Sequence, residues 1–184
     1  MKTSNQEKLK YPIGNFNHKE KSTPKEINSW LTDLEKLPVQ LKKLVTNLNE
    51  LELKFKHRQN GWTIRQLVHH IADSHMNGFV RFKWTITEDE PTIKPYKEDL
   101  WAKTPDDKEA HIEFSLKILE GLHGRWSFLI KSNKSNLKKK MFHPEYGNRP
   151  VDLIRMLHLY AWHGKHHMGH IKQALNFRND FRRK

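Results

Sequence analysis

Apolar residues along this chain recur at helical rather than strand spacing. Ile27, Trp30, Leu31, Leu34, Leu41, Leu44, Leu48 and Leu51 follow a helix-start signal at Thr23-Pro24-Lys25-Glu26. There Thr suits the N-cap, Pro the first helical position and Glu the capping-box position. Pro38 lies inside this run; lacking an N–H donor and crowding the preceding turn, it must kink or restart the helix. A second run, Ile64, Leu67, Val68, Ile71, Phe79 and Phe82, begins after Gly61-Trp62-Thr63 and reaches about Thr87, with Thr63 and Gln66 as another capping box. Thr104-Pro105-Asp106-Asp107 opens a third helix to about Ile130, its acidic residues placed where the helix dipole favours them. The last helix starts near Val151 and runs to about Phe177 through Ile154, Leu157, Ala161, Met168, Ile171 and Leu175.

No strand pattern emerges between these runs. The pattern predicts an all-α protein, a four-helix bundle formed by residues 23–184 as a single domain, preceded by an arm at residues 1–22. The arm is polar except for Tyr11-Pro12-Ile13-Gly14 and is expected to lie on the domain surface. Two connections are long for a bundle: residues 88–103, and the polar stretch 131–150 with His143-Pro144 and a Tyr146-Gly147-Asn148 turn. Such lengths suggest loops with a task, or loops that cover an opening.

Composition narrows the function classes. At 184 residues and 35% hydrophobic, the chain can build a core. It holds no apolar run near the roughly 20 residues of a membrane span and no secretory leader pattern after Met1, so a cytoplasmic protein is expected. Cysteine is absent, which removes disulfides, thiolate ligands and a cysteine nucleophile together. The net charge of +13 raises nucleic acid as a partner. The lysines are nevertheless spread along the chain, with small groups at Lys138-Lys139-Lys140 and Arg182-Arg183-Lys184, and do not interleave with aromatics. A solvated basic surface accounts for them, and nucleic acid is not expected.

The 13 histidines change the picture more. The last helix carries His158, His163, His166, His167 and His170. A spacing of four residues puts two imidazoles on one face about 6 Å apart, near enough to share an ion. At about 100° per residue, His167 borders the apolar face, His163 lies next to it beside Tyr160, and His166 and His170 point further toward solvent. On the second helix His70 sits just off the apolar face, in line with Ser74, Asn77 and Arg81. His69 points away from the core, and His75 lies on the apolar face as a hydrogen-bonded core histidine. A ligand from one helix facing a pair from another is how bundles build metal sites. The HExxH pattern of zincins is absent.

The segments GWTIRQLVHHIADSHMNGFVRFK (61–83), PTIKPY (91–96), LHGRW (122–126) and YAWHGKHHMGHI (160–171), with the Tyr11-Pro12-Ile13-Gly14 arm, closely resemble the YfiT family of metal-dependent hydrolases within the DinB-like superfamily. The resemblance spans nearly the whole chain. It implies a cytoplasmic homodimer with one divalent metal ion per chain, zinc or nickel, on His70, His163 and His167. One departure is Gly164-Lys165, where Ser-His is expected; neither position is a ligand, so substrate preference is what it affects.

Three neutral imidazoles leave an ion its full charge and an open position, able to activate water or to deprotonate a thiol. The expected function is hydrolysis of a small-molecule substrate. The alternatives are transfer of a low-molecular-weight thiol and a non-enzymatic basic binding protein with a structural metal. Ser74, Asn77, Arg81 and Tyr160 are candidate pocket residues. Ser74, Asn77 and Tyr160 could instead cap buried backbone, and Arg81 could instead form a surface ion pair. Asp73, one turn after His70, is read as a solvated charge, with orientation of an imidazole or general-base work as its alternative. Trp62, Trp126 and Trp162 are assigned to core or dimer contacts.

Overall fold

The computed structural model describes residues 7–147 and 149–181, with side chains as far as residue 177. Residues 1–6 of the arm, Asn148 of the expected turn and the Arg182-Arg183-Lys184 group lie outside the described residues. Four long helices dominate: α1 (Pro24–Val45), α2 (Ile64–Thr87), α3 (Glu113–Ser132) and α4 (Leu153–Phe181). Both capping boxes form, Thr23 with Glu26 on α1 and Thr63 with Gln66 on α2, satisfying N–H groups that the first helical turn leaves unpaired.

Helix α1 runs unbroken through Pro38, so the restart allowed by the sequence does not occur. It ends at Val45, short of Leu48 and Leu51. Thr46 folds its hydroxyl onto the Lys42 carbonyl, and Asn49 accepts from the N–H groups of Leu51 and Glu52, turning the chain and leaving Leu51 69% exposed.

The third helix is likewise shorter than its pattern. Residues Pro105–Glu109 make only a short helical piece, and Ala110 is extended. The Ala110 carbonyl is taken instead by Arg65 Nη1 at 2.5 Å, with His69 Nε2 at 3.2 Å. Contrary to the strand-free expectation, β1 (Lys140–Met141) and β2 (Val151–Asp152) pair antiparallel, closing the neck of the 131–150 connection. The two long connections are stitched together by Ile93 N–H to the Phe142 carbonyl and Phe142 N–H to the Pro91 carbonyl, both 2.9 Å.

Helices α1 and α2 each pack on both α3 and α4. Consecutive helices α1 and α2 therefore occupy opposite corners, which sets α2 beside α4. The core divides into two apolar clusters. One gathers Leu37, Leu41, Val45, Leu67, Ile71 and Ile171, the other Leu34, Phe82, Trp126, Ile130, Met156 and Leu157. Between these levels the helices bury His75, His123 and His167, with His163 half-buried beside them. No helix among the described residues is long and apolar enough to cross a membrane.

The second cluster depends on a close approach at Gly78. A Cβ there would meet Tyr160 Cζ at 2.5 Å and Trp126 Cη2 at 2.6 Å. Gly78→Ala is expected to destabilise the fold by about 1–3 kcal/mol through overpacking, read as a lowered midpoint in denaturant unfolding.

Candidate metal centre

The sequence fold places His70 on α2 opposite His163 and His167 on α4. Their ring nitrogens lie within 4.8 Å of one another, and His70 Nε2 stands 3.2 Å from His163 Nε2. Two nitrogens of one tetrahedral ion, each at about 2.0–2.1 Å from it, are about 3.3 Å apart. The His70–His163 pair therefore fits a divalent cation in spacing, and the trio fits one in donor type. Burial and neighbouring imidazoles push the His70 pKa down to about 3 and those of His163 and His167 well below the ordinary value. Neutral imidazoles are the form a metal needs.

The trio forms part of the wall of a cavity of about 380 Å³. Helix residues Ser74, Arg81 and Tyr160 line the same cavity, as does Trp162. Asn77 does not: its amide donates to the Asp73 carbonyl at 2.9 Å, within α2. Arg81 is buried rather than ion-paired at the surface. Its Nη1 donates to Tyr160 Oη at 3.1 Å and its Nη2 to the Lys94 carbonyl at 3.3 Å, while Nε has no partner. Both long connections reach the cavity, one with Tyr96 and Glu98, the other with His143, Glu145 and Tyr146. Their length was legible in the sequence; their lining side chains were not.

Several sequence expectations are corrected around this centre. His166 and His170 are buried, not solvent-facing. The arm covers them: His170 Nε2 donates to the Lys10 carbonyl at 3.0 Å, and Tyr11 packs 6.0 Å from the His166 ring. His166, His167 and His170 also bring ring nitrogens within 4.8 Å of one another. His69 is buried against the start of α3, with Ser115 Oγ 2.8 Å from its Nδ1 and the Ala110 carbonyl 3.2 Å from its Nε2. Asp73 is no freely solvated charge, because burial and Asp106 raise its pKa to about 6. Lys165 leaves the cavity altogether and pairs with Asp33 on α1 at 2.5 Å. Gly164 is buried where a Cβ would crowd the Leu37 methyls. Trp126 is core, as expected, whereas Trp62 packs on His70 at 4.6 Å.

Beneath the trio lies a set of imidazoles that pattern reading separated from it. His163 Nδ1 is 3.3 Å from His75 Nε2, His75 Nδ1 is 3.0 Å from His123 Nε2, and His123 Nδ1 donates to the Leu34 carbonyl at 2.6 Å. His123 sits in the LHGRW segment, and only the packing of α3 against α1 and α2 connects it to the ligands.

A model of the DinB superfamily matches residues 33–171. The chain belongs to the DinB superfamily. It is 46% identical over 164 residues to proteins of Bacillus cereus and Bacillus anthracis that carry the name "Putative metal-dependent hydrolase", covering 89% of this chain and 93% of theirs. The structure matches YfiT from Bacillus subtilis, described as a probable metal-dependent hydrolase with an unusual four-helix bundle topology, at a TM-score of 0.89 and 38% identity. That match covers 94% of this chain and 98% of YfiT.

These histidines set a pH dependence. Folding holds His70 near 3 and His123 near 4, against 6.5 without burial, so below about pH 6.5 the unfolded chain binds more protons and stability falls with pH. Asp73 and Asp107, raised to about 6 and about 7, act in the opposite sense, but the buried histidines outnumber them. The metal-free protein is expected to lose thermal stability steadily from pH 7 to pH 5, measured by circular dichroism in chelator-containing buffer.

Proposed function

We propose that this DinB-superfamily protein is a metal-dependent hydrolase, with His70, His163 and His167 holding one divalent ion at the wall of a small-molecule cavity. The convergence of three neutral imidazoles from α2 and α4 on one point, two buried and His163 half-buried, carries this reading. The names of its relatives support it. When bound, the ion supplies a strong positive charge that lowers the pKa of water or of a thiol at its open position.

The remaining chemistry belongs to the chain. Arg81 offers an unpartnered, buried Nε beside the cavity, suited to a carboxylate, phosphate or developing oxyanion on the substrate. Tyr160 already accepts from Arg81. Burial raises its pKa, so the phenol keeps its proton and can donate it in a hydrogen bond to a substrate oxygen. Tyr96 and Tyr146 wall the cavity from the connections and limit the water that enters with the substrate.

One observation favours a second reading, transfer of a low-molecular-weight thiol. Asp73, the carboxylate closest in sequence to His70, is not among the residues lining the cavity, and it interacts with Asp106 and Asp107 instead. Helix α2 thus contributes no carboxylate base for water; the carboxylates that line the cavity, Glu98 and Glu145, come from the connections, and a thiol, being more acidic, needs neither.

His163→Ala is expected to abolish stoichiometric metal in protein purified without a nickel column, measured by elemental analysis. Unchanged metal content would remove this ligand assignment. The metal-loaded protein is expected to turn over an ester, amide or phosphoester substrate without added thiol. Turnover that requires a thiol from a small panel would replace hydrolysis with thiol transfer, and the absence of any stoichiometric ion would defeat both.

A further inference from the structure

A neutral imidazole has one N–H and one lone pair, so its partners decide which nitrogen carries which. The Leu34 carbonyl can only accept, which puts the His123 proton on Nδ1 and its lone pair on Nε2. That lone pair faces His75 Nδ1 at 3.0 Å, so His75 donates from Nδ1 and accepts at Nε2. His163 Nδ1, 3.3 Å from His75 Nε2, must then carry its proton. The lone pair of His163 is left on Nε2, the atom that faces His70.

Pro38 explains why the Leu34 carbonyl is available. In a regular helix that carbonyl would accept the N–H of residue 38. Proline has none, and Pro38 lies inside α1. A shorter chain serves the other ligand. His170 Nε2 donates to the Lys10 carbonyl, so its Nδ1 holds the lone pair. His167 Nδ1, 3.4 Å away, donates to it, and the lone pair of His167 is left on Nε2.

We propose that His75, His123 and His170 are positioning residues that preset His163 and His167 to present Nε2 to the metal, with the main-chain carbonyls of Leu34 and Lys10 fixing the direction of each chain of imidazoles. The proposal rests on the trio being the ion site. It gives Pro38 and the N-terminal arm a part in metal binding, although neither touches the ion. Partners of this kind typically change metal affinity by about 10- to 100-fold.

Long-range proton–nitrogen spectra of the full chain, labelled with nitrogen-15 histidine and recorded with and without zinc, test it directly. His75 and His123 are expected to be protonated on Nδ1 and His170 on Nε2 in both states, with zinc on Nε2 of His163 and His167. Zinc on Nδ1 of either ligand, or a His123 proton on Nε2, would overturn the proposal. Two zinc ions per chain with His170 as a ligand would overturn its second half. His123→Phe and His170→Phe are each expected to weaken zinc binding about 10- to 100-fold in chelator competition. Unchanged affinity in variants with the parent's circular dichroism would refute the positioning role.

Pro38→Ala returns an N–H to compete for the Leu34 carbonyl. It is expected to weaken zinc binding without lowering the thermal midpoint, whereas unchanged affinity would count against the role of Pro38. If His123→Phe does not fold, Pro38→Ala, His170→Phe and the spectra of the unaltered protein still decide. An unaltered protein that binds no zinc would defeat the site assignment and this proposal with it. Zinc bound through the wrong nitrogens would defeat this proposal alone.

Discussion

The central layer of the bundle depends on a constraint of imidazole chemistry. A buried neutral ring must find one acceptor for its proton and one donor or cation for its lone pair, because an unsatisfied polar group in an apolar interior costs about 1–3 kcal/mol. His75 and His123 lie between two apolar clusters and are almost fully enclosed. They satisfy each other and end on the Leu34 carbonyl. At the other end of this chain His163 and His70 bring two ring nitrogens face to face, an arrangement that suits a cation between them. A structure organised in this way couples the packing of α1 and α3 to the chemistry on α2 and α4.

Helix arrangement makes that coupling possible. Because α1 and α2 occupy opposite corners, α2 lies beside α4 and the trio can assemble across their contact, while α3 brings His123 between α1 and α2. The long connections then extend the wall of the cavity, held to each other by main-chain hydrogen bonds at Pro91, Ile93 and Phe142. The arm acts next to the cavity on α4, where its Lys10 carbonyl and Tyr11 ring cover His170 and His166. A bundle with adjacent consecutive helices would separate these groups.

Much of the fold was legible because it is written in local chemistry. Thr23 and Thr63 start their helices through bonds to residues three positions away, and the apolar faces follow a helical period. Boundaries were read less well where a distant group competes for backbone. Ala110 leaves the helical path with its carbonyl held by Arg65 and His69. The misplaced histidines share one cause: a wheel drawn for a single helix shows which face a side chain occupies, but not what covers that face. His69 meets Ala110 and the first turn of α3, and His170 meets the arm.

The sequence by itself determined the four amphipathic helices, their caps, the absence of cysteine and a trio of histidines at spacings a metal can use. These are properties of neighbours within a few residues, and the family pattern of the histidine segments carries the metal reading further. Only the tertiary structure decided that Arg81 is buried beside the cavity, that Lys165 turns away to Asp33, and that the Leu34 carbonyl, His123 and His75 are linked to His163. Hydrogen bonds between groups far apart in the chain depend on which helices become adjacent, and no local spacing encodes that adjacency.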